Sequence, residues 1–391
     1  MTTVIVGYAR TPFVKFNGVF AAVPAVTLGA HALRAALARA GVAPDDVQHV
    51  YGGQVLQGGA GQNPARQTAA AAGIPLTVPA ITLNAVCLSG TEAVVAATRL
   101  IDGGEADIVV AVGQESMSLA PHAWSGSRAG ARYGTVELID TLEHDGLTDA
   151  FEHQSMGAST EARNSLLGLD RTAQDAWAAA SHQRLAASAD FLAGEIEPYL
   201  VPGRRGTTTE VAADDGLRAE TTMESLGTLR PAFGGGGTIT AGNSSQITDG
   251  AAALVLVSAE LAERRGLPAL ARVLGHAFVA GPDVTLHAQP ANAIRAALAK
   301  LDRSAADLAA VEINEAFASV AVHSTLLLGI DDGIVNAHGG AIALGHPIGA
   351  SGARIVGHLA RRLAAAGRGS VGAAGICGGG GQGSAVVLQA V

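Results

Sequence analysis

The stretch Ile81-Thr-Leu-Asn-Ala-Val-Cys-Leu-Ser-Gly90 runs from an apolar, strand-like segment into an Ala-rich helix predicted for residues 88–101. It carries Cys87, one of only two cysteines in 391 residues. The other, Cys377, follows a second strand-like run at residues 370–376. Two cysteines cannot form a disulfide framework and are too few to make a zinc site by themselves. They are therefore either buried thiols or residues that react.

Strand-like and helix-like segments alternate on both sides of this stretch. In the first third, residues 4–8 and 108–112 are typical of strands, and residues 28–41 of an amphipathic helix. The last third repeats the pattern, ending with a helix at 349–366 and a strand at 384–390. Apolar runs too continuous to be one-sided indicate a parallel-type sheet covered by helices on both faces. We predict an α/β protein of two similar halves that each present a cysteine at a shared crevice.

The middle of the chain, residues 118–249, differs in composition and is less periodic. It is richer in Gly, Arg, Asp and Ser, includes a predicted turn at 203–206, and has one clear helix at 172–187. Long irregular segments are usually functional lids or binding elements. We therefore predict a substrate-binding insertion at 118–249. The N-terminal half then comprises 1–117 plus about 250–270, and the C-terminal half comprises 271–391.

Composition excludes several classes of protein. With 48% hydrophobic and 15% charged residues, the chain can bury a large core. No apolar run approaches the roughly 20 residues of a membrane span. The net charge of −9, with no cluster of Lys and Arg, argues against nucleic acid as a partner. The first residues show no targeting pattern, so we expect a cytoplasmic protein with no membrane partner.

Three residues stand out as candidates for chemistry. Cys87 precedes a predicted helix, whose N-terminus can lower the pKa of a thiol, although a lone cysteine is more often a small buried apolar residue. His346 lies in the Gly-rich block Asn336-Ala-His-Gly-Gly-Ala-Ile-Ala-Leu-Gly-His-Pro-Ile-Gly-Ala-Ser-Gly-Ala-Arg354, which presents it before a helix. Cys377 opens the run Cys377-Gly-Gly-Gly-Gly-Gln-Gly383. This run is not a phosphate loop, because no Gly-Lys-Ser/Thr follows it.

Short motifs along the whole chain resemble those of the thiolases, in particular the acetyl-CoA acetyltransferase type. They are Asn84 to Gly90, Gly113-Gln-Glu-Ser-Met-Ser118, Thr240-Ala-Gly-Asn-Ser-Ser245 with Asp249-Gly-Ala-Ala-Ala253, Asn314-Glu-Ala-Phe-Ala318, and the His346 and Cys377 blocks. The resemblance implies a five-layered α-β-α-β-α fold of two halves with an inserted loop domain. It also implies transfer of an acetyl group between two molecules of acetyl-CoA, in either direction, through an acyl-cysteine.

The resemblance implies a role for each candidate. Cys87 is expected to accept the acyl group, His346 to activate Cys87, and Cys377 to act as acid and base on the second substrate. One oxyanion is expected to bind at His346 with a water held by Asn314. The other is expected to bind at the backbone N–H groups of Cys87 and Gly379.

The same resemblance implies positions that bind coenzyme A as a substrate and product. They are Leu147, Met156, Arg218, Ser225, Phe233, Ala241, Ser245, Ala316 and Phe317. Arg218 is expected near the nucleotide end, and Met156 and Phe317 along the pantetheine tunnel. We expect no metal and no tightly bound cofactor, only acyl-CoA and CoA as small-molecule partners, and a homo-oligomer, either dimer or tetramer.

Two departures from the family pattern leave alternatives open. Ser155 replaces the usual His before Met156-Gly157, with His153 two residues earlier, and His338 replaces a usual Asn. A thiolase for longer 3-ketoacyl chains and an acyl-CoA-binding protein with impaired turnover therefore remain alternatives. Carrier-protein condensing enzymes are disfavoured by the second cysteine. A disulfide oxidoreductase is disfavoured because there is no Cys-x-x-Cys.

Overall fold

A continuous mixed sheet passes through the computed structural model, which describes residues 2–203 and 206–391. Arg204 and Arg205, in the middle of the predicted turn, lie outside the described residues. None of the helices in the described ranges combines the length and apolar character needed to cross a bilayer.

The elements follow one another in three groups. The first comprises β1 (Thr3–Arg10), β2 (Val14–Lys15), α1 (Ala25–Ala40), β3 (His49–Gly53), α2 (Pro64–Ala71), β4 (Ala80–Leu83), α3 (Ser89–Asp102) and β5 (Ile108–Glu115). The second comprises β6 (His122–Ala123), β7 (Ile139–Asp140), α4 (Met156–Asn164), α5 (Arg171–Ala187), α6 (Ala189–Ala193), β8 (Tyr199–Pro202), β9 (Thr208–Val211) and α7 (Met223–Gly227). The third comprises β10 (Thr248–Ser258), α8 (Ala259–Arg265), β11 (Ala271–Ala280), α9 (Gln289–Ala299), β12 (Ala310–Ile313), α10 (Ala318–Leu328), α11 (Ala341–Leu344), α12 (Ser351–Ala366), β13 (Val371–Gly378) and β14 (Gln382–Ala390).

The strand order shows that the fold is duplicated. In the first half the order is β4-β3-β5-β10-β1, with β3, β4 and β5 parallel and β10 antiparallel to its neighbours. In the second half the order is β12-β13-β14-β11, and a parallel bridge between Val311 and Val335 occupies the place of β4. The halves join where β1 pairs with β11 over two residue pairs, Val4 with Arg272 and Ile5 with Ala271.

Helices complete five layers. Helices α1 and α2 pack on the outer face of the first half of the sheet, and α9 and α10 pack on the outer face of the second half. Helices α3 and α12 lie between the two halves, where their apolar side chains meet residues of both. This arrangement confirms the predicted α-β-α-β-α fold.

The two cysteines do not occupy equivalent positions, although the similar placement of each after a strand suggested the duplication. Cys87 lies in the turn between β4 and α3, whose counterpart in the second half is the segment between Val335 and α12 that carries His346. Cys377 lies within β13, the counterpart of β5. The strand predicted at 370–376 ends too early, because β13 continues through Cys377 to Gly378 before the hairpin to β14.

Several elements escaped the sequence analysis. Strands β10 and β11, which lie near the middle of the sheet, were not predicted. Strand β10 contains an Ala-rich, fully buried run, and such a run has no periodicity that separates a strand from a helix. In the described part of the insertion, the short helices α4, α6 and α7 and a π-helical turn at Leu142–Leu147 accompany α5, so the prediction of one clear helix is incomplete.

Buried charges attach the insertion to both halves. Arg10 of β1 pairs with Glu195 at 2.7 Å and with Asp214 at 2.6 Å, and all three side chains are at most 5% exposed. The other carboxylate oxygen of Glu195 lies 2.8 Å from Nδ1 of His358 on α12. Breaking such a buried network by removing one partner leaves an unpaired charge, which is strongly destabilising.

The N-terminal ends of α3 and α12 approach each other without room for side chains. A Cβ atom on Gly90 would lie 2.6 Å from the backbone nitrogen of Ala353, and one on Gly352 would lie 2.3 Å from that of Thr91. Distances this short do not occur for real Cβ atoms, so glycine is required at both positions. The crossing brings the Cys87 turn next to the His346 loop.

We predict that Gly352→Ala destabilises the fold, because the added methyl group forces the two helices apart. Overpacking of this kind costs about 1–3 kcal/mol, and differential scanning calorimetry should show a lower melting temperature. Gly227→Ala is the matched control, because nothing lies within 4 Å of a Cβ there. Equal melting temperatures for the two variants would contradict the prediction.

Candidate active site

Cys87 is held by a tight turn between β4 and α3. The preceding residue, Val86, has φ +52°, a left-handed conformation that is an outlier for a β-branched side chain. The Oδ1 atom of Asn84 accepts from the Val86 N–H at 3.0 Å. The hydroxyl of Ser89 accepts from the Ala85 N–H at 2.9 Å and donates to the Val86 carbonyl at 2.6 Å. These two side chains hold the strained backbone that orients Cys87.

His346 is held in a loop just before α12. Its backbone N–H donates to the carbonyl of Gln246 at 2.9 Å, and its Nδ1 lies 2.6 Å from the hydroxyl of Ser351. That hydroxyl can donate in turn to the carbonyl of Pro347 at 3.2 Å. With Nδ1 as the donor to Ser351, Nε2 carries the free lone pair, and Nε2 has no protein partner among the described residues. His346 can therefore accept a proton at Nε2.

Burial keeps His346 neutral. Desolvation, with a smaller contribution from Arg354, lowers the pKa of His346 to about 3. Asn314 lies beside the ring, with its Nδ2 3.5 Å from Nδ1 of His346, and its backbone N–H donates to the carbonyl of Gly375 at 3.0 Å. The buried Oδ1 of Asn314 accepts from no described residue.

Both thiols lie in one small cavity with the imidazole. Cys87, His346, Cys377 and Gly379 line a volume of about 70 Å³. Burial raises the pKa of Cys87 to about 12, and the negative charge of Glu115 adds to this, while the N–H groups of Cys87 and Gly379 lower it. Burial and the proximity of Cys87 also raise the pKa of Cys377.

The lowered pKa expected for Cys87 is therefore wrong for the resting site. Desolvation of the charged form outweighs the two N–H groups that the turn and the glycine run supply. The resting site contains two thiols and a neutral imidazole, so a charge appears there only when a proton moves.

A second cavity of about 300 Å³ adjoins the first, with which it shares wall residues including Ile348 and His346. Six of the predicted coenzyme A positions line one or both cavities: Leu147, Met156, Phe233, Ser245, Ala316 and Phe317. Phe233 and Phe317 meet edge to face, with ring centroids 6.4 Å apart. The cavity is mostly apolar, which suits an alkyl-amide chain such as pantetheine.

The other three predicted coenzyme A positions are exposed and line neither cavity. Arg218 contributes its backbone N–H to Nδ1 of His182 at 3.2 Å. The hydroxyl of Ser225 accepts from the N–H of Thr222 at 3.0 Å, as part of the cap of α7. Ala241 lies exposed on the surface.

The residues that depart from the family pattern lie in different places. Ser155 lines the 300 Å³ cavity, and its hydroxyl caps α4 by accepting from the Ala158 N–H at 3.2 Å. His153 is exposed and lines neither cavity, so it does not replace the missing histidine. His338 lies outside both cavities, with its Nδ1 3.2 Å from Nε2 of His358.

Some residues of the site were missed by the sequence analysis. Ser351, the partner of His346, lies five residues after it in the same block, and its place in the first turn of α12 was the available clue. Ile348 lines both cavities from within that block. Leu286 lines the smaller cavity from a loop before α9, where nothing local in the sequence distinguishes it.

We predict that Ser351→Ala lowers kcat, because the imidazole loses the partner that fixes its orientation and tautomer. Loss of orientation costs about 10- to 100-fold, which steady-state kinetics would measure. Ser351→Thr keeps the hydroxyl and should retain more activity than the alanine variant. Equal losses in both variants would show that the hydroxyl is not what matters.

We also predict that acid destabilises the protein between about pH 6.5 and pH 4. Burial lowers the pKa values of His182, His287 and His338 to about 4, below the ordinary value of 6.5. The unfolded chain therefore binds protons first, and stability falls as the pH falls through this window. His338→Asn should lose less melting temperature between pH 7 and pH 5 than the unsubstituted chain. His153→Asn, at an exposed site, should lose as much as the unsubstituted chain, and an equal loss in both variants would contradict the assignment.

Comparison with known proteins places this arrangement in a family. The thiolase N-terminal domain matches residues 3–260, and the thiolase C-terminal domain matches residues 267–390. A probable acetyl-CoA acetyltransferase from Mycobacterium leprae (strain TN) is 51% identical over 392 residues, covering 100% of both chains.

Two crystal structures are similar over the full chain. The Bacillus anthracis acetyl-CoA acetyltransferase superposes with a TM-score of 0.96 at 36% identity, covering 100% of this chain and 99% of the other. Human mitochondrial 3-ketoacyl-CoA thiolase superposes with a TM-score of 0.93 at 34% identity, with the same coverage. The order of the layers agrees with these matches, and the two domain matches together span almost the whole chain. This chain therefore belongs to the thiolase family.

Proposed function

We propose that the protein is an acetyl-CoA C-acetyltransferase, which interconverts two acetyl-CoA with acetoacetyl-CoA and CoA. The observation that carries the proposal is the convergence of Cys87, His346 and Cys377 on one cavity of about 70 Å³. A cavity of this size suits an acetyl group on Cys87 rather than a long acyl chain.

The first half of the reaction transfers the acetyl group to Cys87. Nε2 of His346 takes the Cys87 proton, and the thiolate attacks the acetyl-CoA carbonyl. The bond from the carbonyl to the CoA sulfur then breaks, and the departing thiolate takes the proton of Cys377. This leaves acetyl-Cys87, protonated His346 and the Cys377 thiolate. A cysteine suits this step because one thioester replaces another of similar energy.

The second half forms the carbon–carbon bond. The Cys377 thiolate removes a proton from the methyl group of a second acetyl-CoA, and the resulting enolate attacks the carbonyl of acetyl-Cys87. The Cys87 thiolate leaves and recovers its proton from His346, which restores both thiols and the neutral imidazole. Thiolysis is the same sequence reversed.

Two sets of donors would stabilise the two oxygens that become negative during the reaction. The N–H groups of Cys87 and Gly379 already act on the Cys87 sulfur, so they lie near the carbonyl that would form there. Protonated His346, with Asn314 beside it, would serve the enolate oxygen. Losing one such donor typically costs about 3–4 kcal/mol in the transition state.

The proposal extends to the rest of the molecule. Coenzyme A would occupy the 300 Å³ cavity with its pantetheine arm between Met156 and Phe317, and its nucleotide end would reach the exposed Arg218. The insertion at 118–249 would be the coenzyme A-binding loop domain between halves at 1–117 with about 250–270, and at 271–391. The protein would act in the cytoplasm as a dimer or tetramer, without a tightly bound cofactor.

The test is thiolysis of acetoacetyl-CoA by the pure protein, followed by the loss of substrate on adding CoA. We expect turnover that Cys87→Ala abolishes, and intact-mass spectrometry should show one acetyl group on Cys87 after incubation with acetyl-CoA. Turnover that increases with 3-ketoacyl chain length would favour a longer-chain thiolase. Binding of CoA with neither turnover nor acetylation would leave only a binding protein and would refute the proposal.

A further inference from the structure

Glu115, the last residue of β5, is a buried carboxylate that the proposed reaction does not use. Its side chain is fully buried, and its partners are three backbone N–H groups rather than a cation. A buried carboxylate is costly unless it is fully hydrogen-bonded. Its position therefore requires the two loops that supply these donors.

One loop follows β3 and contacts the Cys87 turn. The N–H groups of Val55 and Leu56 donate to Glu115 at 3.0 and 3.2 Å. The carbonyl of Val55 accepts from Nδ2 of Asn84 at 3.3 Å. Asn84 is one of the two side chains that hold the strained turn before Cys87, so Glu115 supports that turn through a short chain of hydrogen bonds.

The other loop carries His346. The N–H of Gly349 donates to Glu115 at 2.9 Å, three residues after His346. A Cβ atom on Gly349 would lie 2.7 Å from Oε2 of Glu115, so the carboxylate and this loop are fitted closely together. The neighbouring Ile348 lines both cavities. One carboxylate thus fixes the spacing between the segments that carry Cys87 and His346.

Glu115 also acts on Cys87 through its charge. Its negative charge raises the pKa of the Cys87 thiol. Burial raises the pKa of Glu115 itself to about 7, the three N–H groups oppose this, and Asp249 on β10 adds to the rise. At alkaline pH Glu115 is ionised and opposes a second negative charge on Cys87.

We propose that Glu115 is a positioning residue for the reaction proposed above, on which this inference rests. Its carboxylate joins the Cys87 turn to the His346 loop through hydrogen bonds from the N–H groups of Val55, Leu56 and Gly349. Glu115 lines neither cavity, so it acts through Cys87 and His346 without touching the substrate.

The experiment compares Glu115→Gln, which removes the charge, with Glu115→Asp, which keeps the charge but is one methylene shorter. In a Cys377→Ala background Cys87 is the only cysteine, so its reaction with iodoacetamide reports the thiolate directly. We expect Glu115→Gln to alkylate about three- to tenfold faster at pH 8, since removing a nearby like charge favours the thiolate. Glu115→Asp should alkylate at the rate of the unsubstituted carboxylate.

With Cys377 present, both variants should lose about 10- to 100-fold in kcat, because neither holds the two loops in register. The KM for CoA should change little. Glu92→Gln is the matched control, because Glu92 is a half-buried carboxylate on α3 that accepts from Ser384 at 2.7 Å and holds neither loop. It should leave both the alkylation rate and kcat unchanged.

Two results would overturn the inference. An unchanged kcat in Glu115→Gln or in Glu115→Asp would refute the positioning role, and equal alkylation rates in all variants would refute the role of the charge. Circular dichroism would establish that each variant is folded. If Glu115→Gln does not fold, Glu115→Asp still tests the positioning role. If the unsubstituted protein lacks thiolysis activity, the proposed function fails, whereas the alkylation rates still decide whether Glu115 acts on Cys87.

Discussion

The geometry of the site depends on the contact between α3 and α12, where two glycines let the helices approach within backbone distance. Gly90 and Gly352 face backbone atoms at distances that exclude a methyl group. Each helix begins just after a loop that carries a proposed catalytic residue, Cys87 before α3 and His346 before α12. The separation of thiol and imidazole is therefore set by how closely two backbones can approach. Both halves of the sheet pack around this contact, so the five-layered arrangement and the geometry of the site depend on the same few atoms.

The electrostatics of the site follow from its burial. Burial raises the pKa values of both thiols and lowers that of His346, so all three groups are neutral in the resting protein. A neutral site avoids the large cost of holding isolated charges away from water. In the proposed reaction, the backbone N–H groups at Cys87 and Gly379 would act mainly on charge that develops as the bonds change, which is where fixed dipoles are most effective.

Much of this could be predicted from the sequence, because the motifs are local. The turn around Cys87, the glycines around His346 and the run after Cys377 are each encoded within a few residues, and the alternation of elements indicated a duplicated α/β fold. What could not be predicted depends on long-range contacts. The Ala-rich strand β10 is buried on all sides, so its pattern lacks a period. The pKa of Cys87 depends on desolvation by segments from both halves. The link from Glu115 to Gly349 joins residues that are 234 positions apart.

Among the described residues, the backbone ladder between the two halves consists of two residue pairs, between β1 and β11. Side chains of the central helices and the buried charges around Glu195 also join the two halves. The proposed nucleophile comes from one half, and the proposed base and second thiol come from the other. Neither half contains all three of these residues, so the proposed reaction centre lies at the interface between the two halves. Any change that loosens this interface would reduce turnover before it unfolds either half. The turnover rate would therefore report how closely the two halves pack against each other.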